Sequence, residues 1–184
     1  MSPDTAPIAS IPARVTVEQL AVALRLDLTA VQAVLDARAE LSSPDVVLGP
    51  DLTMAVAKAL GVPLNIEARD MALEILYQLE TGGEAGDLHD LKGRVGFLVN
   101  GVIGHKEELD HEIESASEHW SVARMPILDR SILRIGLFEL RHSKETPTAV
   151  VVSEAVRLAQ TYSTERSGSF VNGVLASLAR TAQG

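Results

Sequence analysis

Apolar residues recur at intervals of three and four along most of this chain. Nowhere does apolar–polar alternation run long enough to found a sheet. That periodicity predicts an all-α fold. Leu20, Leu24 and Leu28 recur at fours, and Leu73, Leu76 and Leu79 share one side with Ala72. Leu91, Val95, Leu98 and Val102 form a third stripe, and Leu133, Leu137 and Leu140 a fourth. Only six of the 184 residues are aromatic, so the core must be built from Ala, Leu, Val and Ile. A hydrophobic content of 46% is enough to supply one.

Punctuation divides the periodic runs. Thr16-Val-Glu-Gln19 and Thr29-Ala-Val-Gln32 both have the capping-box form, in which a hydroxyl caps the first turn and Gln reaches back. Ser42-Ser-Pro44 interrupts, and Val46-Val-Leu48 is a short extended candidate. Pro50-Asp51 opens a further helix that Leu60-Gly61 closes. Gly82-Gly83 stops the helix over 67–80, and Gly101 with Gly104 breaks or bends the run 88–118. Helices are expected over 127–141, from Thr146-Pro147 onward, and over 169–180. The first dozen residues hold three prolines and no periodicity. The expected organisation is a flexible 1–14, a small helical extension over 15–62 and a helical bundle over 63–184.

Enzyme signals are missing. The chain has no cysteine, which excludes disulfides, thiolate zinc sites and a cysteine nucleophile. No GxSxG, HExxH or Walker-type glycine loop occurs. Gly168-Ser-Phe-Val-Asn-Gly173 has glycines, but a helical apolar stripe crosses it and no lysine follows. His105, His111 and His119 are spaced at six and eight, not at the i,i+4 of a helical metal pair, and read as a solvated charged face. Gly101-Val-Ile-Gly104 has apolar middle residues in a helical context and reads as a packing contact or bend. Met1-Ser-Pro-Asp4 carries an acid where a signal peptide carries positive charge, and apolar runs are far shorter than a bilayer needs. The expectation is a soluble cytoplasmic protein with no catalytic residues, no metal and no cofactor.

The net charge of −9 argues against wrapping nucleic acid by bulk attraction, yet it is unevenly placed. Residues 1–62 hold 4 basic and 7 acidic side chains, and 63–119 hold 4 and 13. Residues 120–184 hold 8 basic and 5 acidic, the one stretch with a positive balance.

That stretch also holds the most specific strings. They are Trp120-Ser-Val-Ala-Arg124, Asp129-Arg130-Ser-Ile-Leu133-Arg134-Ile-Gly-Leu-Phe138-Glu139-Leu140 and Val151-Val-Ser-Glu154-Ala-Val-Arg-Leu-Ala159. Tyr162 and Ser169-Phe170-Val-Asn172-Gly173-Val-Leu175 follow. Upstream stand Ala68-Arg69-Asp-Met-Ala72-Leu-Glu-Ile-Leu-Tyr77-Gln and Gly101-Val-Ile-Gly-His105-Lys-Glu-Glu-Leu109-Asp110-His-Glu-Ile113. In this order and spacing, over 66–179, they resemble the NusB family of transcription antitermination factors. The resemblance implies an all-helical NusB-like bundle of two subdomains, with no catalysis, behind a small N-terminal helical domain. It also implies pairing with NusE, a small-subunit ribosomal protein, binding of single-stranded boxA RNA from ribosomal RNA leaders, and entry into the RNA polymerase antitermination complex.

Residue by residue, the resemblance places Arg69, Tyr77, Arg130, Arg134, Arg166 and Phe170 at the RNA, and Tyr77 and Asp129 at the NusE-like partner. The family's first helix opens with arginines where this chain has Asn65, Ile66 and Glu67, and Ser169 stands where a relative has lysine. Plainer readings stand beside these. Tyr77 and Phe170 can pack between helices, and Asp129 can serve the helix dipole. Asn172-Gly173 is expected to let two helices approach, and Glu139 and Glu154 can each pair with an arginine. Val15–Leu24 and Asp51–Ala57 are similar to the small helical modules of bacterial translation initiation factor two. The negative charge of residues 1–62 sets partner binding or docking ahead of direct RNA contact. Two alternative functions remain at this point. One is a NusB-like homodimeric protein-interaction module with weak or lost RNA binding. The other is a detached recognition domain of an RNA cytosine methyltransferase.

Overall fold

The computed structural model describes residues 9–62, 64–83, 88–117 and 120–181. The chain divides into two compact units, Met1–Met71 and Ala72–Gly184.

In the first unit, β1 (Ala9–Ile11) and β2 (Val15–Thr16) precede helices α1 (Val17–Leu24) and α2 (Leu28–Ala37). Then come β3 (Val47–Leu48), α3 (Pro50–Ala59) and β4 (Leu64–Ile66). The Thr16 capping box is complete: Gln19 N–H donates to Thr16 Oγ1 at 3.1 Å, and Thr16 N–H to Gln19 Oε1 at 2.9 Å. The second one, at Thr29, does not form. Asp27 is the extended residue before α2, so Thr29 falls inside the first turn. Pro50 sits in the first turn of α3, and Gly61, at φ +68°, follows its end as expected.

Two strand pairs close this unit. β1 runs parallel to β4 with Ile11 opposite Ile66, and β2 runs antiparallel to β3 with Thr16 opposite Val47. The all-α expectation holds for the architecture, and these strands of two and three residues are too short to show an alternation. Residues 9–14 also differ from the mobile tail expected over 1–14. Ile11 and Ala13 are buried, and Glu67 N–H donates to Ile11 O at 2.9 Å. Residues 1–8 of that expectation lie outside the described residues. The inner faces of α1 and α2 (Val17, Leu20, Leu24, Val31, Leu35) meet Leu48, Val56, Leu64 and Ile66 in one aliphatic core. The unit thus keeps the segment after residue 62, which the sequence reading gave to the bundle.

Helix α4 (Ala68–Thr81) carries the chain across the boundary into the second unit. After a 3-10 turn at Leu88–Asp90 follow α5 (Gly93–Gly104) and α6 (Lys106–Ala116). A 3-10 turn at Val122–Arg124 leads to α7 (Ile127–His142), α8 (Thr148–Tyr162) and α9 (Ser167–Thr181). The break expected near Gly101 and Gly104 falls at His105, whose backbone N–H and Nδ1 both lie near Gly101 O, at 3.1 and 2.9 Å. Helix α7 is the axis: residues 131–139 are buried without interruption, and α5, α6, α8 and α9 all pack on it. Leu133 and Leu137 are fully buried, whereas Leu79, which shares its helix side with the buried Leu73 and Leu76, is 38% exposed.

Close packing on α7 requires glycine at two places. A Cβ on Gly101 would overlap the Phe138 ring, and one on Gly136 would stand 2.7 Å from Leu175 Cδ1. The helix approach expected at Gly173 is not there. Nothing lies within 4 Å of its Cβ position, and Asn172 and Gly173 face outward. Gly136 performs that role instead.

Candidate functional site

Two arginines of the second unit set its electrostatics. Arg130 and Arg134 are one turn apart on α7 and both reach the Glu80 carboxylate at the end of α4. Arg130 Nε donates to Glu80 Oε2 at 2.6 Å, and its Nη2 pairs with the same oxygen. Arg134 pairs through Nη1 with Glu80 Oε1 and grips Asp110 of α6 with two parallel bonds, at 2.6 and 2.9 Å. Burial alone would raise the Glu80 pKa, but hydrogen bonds and charge from Arg130 and Arg134 outweigh it and hold the carboxyl below its ordinary value. For Arg134, burial works against the cation, and Asp110 with Glu80 raises its pKa nonetheless. The positive charge expected to face RNA at these two positions is thus met by carboxylates within the fold.

Asp129, in the first turn of α7, is also turned inward. It is 4% exposed, accepting from Ser163 Oγ at 2.5 Å and from Ser167 Oγ at 2.9 Å. These bonds tie the start of α7 to the loop between α8 and α9. That loop presents Arg166 at the surface, and Phe170, half-buried, sits one turn further on with its N–H donating to Arg166 O at 3.3 Å. Because Asp129 and Arg130 are neighbours, two networks meet at the N-terminus of α7. One holds α4 and α6, and the other holds the Arg166 loop.

Tyr77 is half-buried on α4, three residues before Glu80. Arg69 is half-buried in the first turn of α4, inside the first unit. Asn65, Ile66 and Glu67 stand where arginines were expected from the family. Asn65 and Ile66 lie in the strand β4, and Glu67 follows it, its Oε1 accepting from Ser10 Oγ–H at 2.6 Å. Glu139 pairs with Arg94, which also donates to Ser143 Oγ at 3.0 Å, and Glu154 pairs with Arg157. Gly168–Gly173 lies within α9.

Sequence reasoning missed Glu80, Asp110, Ser163 and Ser167. Their partners, all on α7, lie 24 to 54 residues away, so no local spacing marked them. Among the described residues, no group of three or more His, Cys, Asp or Glu is placed to hold a metal ion. His119 lies outside the described residues, and no described helix is long and apolar enough to cross a membrane.

A family model described as the NusB family matches residues 66–180. The transcription antitermination protein NusB of Desulfitobacterium hafniense (strain DSM 10664 / DCB-2) is 38% identical over 122 residues, 59% of this chain and 82% of the relative. T. maritima NusB aligns with a TM-score of 0.55 at 30% identity, covering 61% of this chain and 88% of that one. A solved complex of antitermination factors NusB and NusE with dsRNA aligns with a TM-score of 0.52 at 31% identity, covering 62% and 94%.

Proposed function

Since the chain belongs to the NusB family, we propose that it works as a transcription antitermination factor. It is a non-enzymatic adaptor that, with a NusE-like ribosomal protein, binds single-stranded boxA-like RNA and joins the RNA polymerase antitermination complex in the cytoplasm. The observation that carries this reading is the structural likeness to a NusB chain solved with NusE and dsRNA, at 31% identity.

The site divides between residues that touch and residues that position. Phe170 offers a ring for a base to stack on, and the exposed Arg166 one turn away meets a phosphate. Tyr77 on α4 adds to the RNA face at its border with the protein partner, and Arg69, in the first unit, offers RNA a guanidinium of its own. Arg130 and Arg134 act through Glu80 and Asp110, keeping α4 and α6 against α7. Asp129 acts through Ser163 and Ser167, fixing the loop that carries Arg166. Residues 65–67 supply no guanidinium, and each phosphate contact so lost removes about 0.7 from the salt slope of single-strand binding. Binding by this chain alone is therefore weak, and the NusE-like partner supplies the remainder.

Fluorescence anisotropy of a boxA-like RNA, titrated with the full chain with and without a NusE-like protein, tests this. The expected result is binding at least about tenfold tighter with the partner, and a loss of about tenfold for Phe170→Ala. If the chain binds neither RNA nor partner, alone or together, the reading fails.

A further inference from the structure

Trp120 is the one tryptophan of the chain, and it stands 56% exposed in the connection between α6 and α7. That connection is pinned at several points. Val122 and Met125 are buried, and the Glu114 carboxylate accepts from Val122 N–H at 2.8 Å and from Ser121 Oγ–H at 3.1 Å. Trp120 N–H donates to Ser117 O at 3.3 Å, and Arg130 Nη1 to Met125 O at 3.5 Å. A side chain of this size is on average mostly out of water, so a fixed backbone that leaves it outside holds it ready for a ligand.

The arginines narrow the ligand. Of the eight in the second unit, Arg94, Arg130, Arg134, Arg141 and Arg157 are each met by a carboxylate. Among the described residues, Arg124, Arg166 and Arg180 have no such partner. Arg180 stands in the last turn of α9. The other two each stand four residues from an aromatic ring, Arg124 from Trp120 and Arg166 from Phe170. Both pairs are tied to the first turn of α7, one through Arg130 and the other through Asp129. A ring beside an uncommitted guanidinium suits a base and its phosphate in single-stranded nucleic acid.

From this repeat we infer that Trp120 and Arg124 form a second nucleotide subsite, with a base stacked on the indole and a neighbouring phosphate at Arg124. The subsite rests on the antitermination reading and extends, past the start of α7, the strand held at Phe170 and Arg166. A protein partner would need an aliphatic rim to keep water from the ring, and the exposed neighbours Ser121, Ala123 and Arg124 supply none. Glu114, Glu118 and Glu165 outnumber the two arginines, so stacking and not long-range attraction holds the strand. The two phosphate contacts then contribute only about 1.4 to the salt slope.

Trp120 is its own reporter. A boxA-like single-stranded RNA is titrated into the full chain at low salt while tryptophan emission is followed, and the anisotropy of a labelled copy of the RNA is read in parallel. Saturable quenching is expected, with a midpoint that matches the anisotropy. Trp120→Ala should weaken binding about tenfold, Trp120→Phe should recover most of that, and Arg124→Gln should lower the salt slope by about 0.7. RNA that binds by anisotropy but leaves Trp120 emission unchanged overturns the subsite and leaves the antitermination reading standing. So does a Trp120→Ala chain that binds within about twofold of the parent. A blue shift of Trp120 on adding a tryptophan-free NusE-like protein without RNA also overturns it, because the ring then serves the protein partner. If no RNA binds with or without that protein, the antitermination reading fails and the subsite with it.

Discussion

The two units bury an aliphatic surface by different means. All six aromatic residues lie beyond residue 71, so the first unit is held by Leu, Val, Ile and Ala and closed by two strand pairs, one of which joins positions 55 residues apart. The second unit is arranged around one helix, α7, whose buried middle carries Arg134 and Glu139, each met by an opposite charge from another helix. A small unit without aromatic residues depends on the completeness of its shell. A bundle with a charged axis depends on every charge being answered. The family-matched residues 66–180 contain the whole α7 network, whereas most of the first unit lies outside them.

The sharpest way to break this contrast is Arg134→Ala. It leaves Glu80 and Asp110 facing a gap beside the axis, and a loss of about 3–5 kcal/mol is expected in denaturant unfolding of the second unit. A change below about 1 kcal/mol would mean that water already screens the pair. Leu20→Ala should cost the first unit about 3 kcal/mol, because Leu20 is fully buried in a core with no aromatic neighbour to fill the space. Hydrogen exchange that reports each unit separately shows whether either loss stays in its own half.

Smaller effects sharpen the picture. Gly136→Ala should cost about 1–3 kcal/mol through contact with Leu175, whereas Gly173→Ala, with open space around it, should stabilise α9 by about 0.5–1 kcal/mol. Equal thermal shifts for the two variants would remove Gly136 as the point of close approach. Thr16→Ala should cost about 1 kcal/mol, by loss of its cap on α1. The pH dependence has a definite sign. Glu80 has its pKa lowered by folding, so its contribution is complete above the unfolded value near 4.5 and fades as pH falls from there through the lower folded value. Glu80→Gln should flatten stability in that acid window, as read by urea midpoints across pH.

Local chemistry was legible where the partners are neighbours. The cap of Thr16 on Gln19, Pro50 at a helix start, Gly61 past a helix end and the break at His105 all lie within one turn of the residues that signal them. The pattern at Thr29 was identical and still misplaced the helix start, because Asp27 is already extended and the helix begins at Leu28. Gly173 and Gly136 are alike on paper, and only the packing of Leu175 distinguishes them. The candidate arginines were found by string, but the direction of their charge was not.

Periodicity and the ordered strings, being properties of i to i+4 neighbours and of residue order, determined the helical character, the family and most element boundaries. Tertiary structure decided what those properties do not contain. It tied residues 9–11 to 64–66, buried Asp129 under Ser163 and Ser167, and set Glu80 and Asp110 against Arg130 and Arg134. The physical reason is range. A helix forms from what lies within a turn, whereas a buried charge or a three-residue strand is defined only by a partner that folding brings from dozens of residues away.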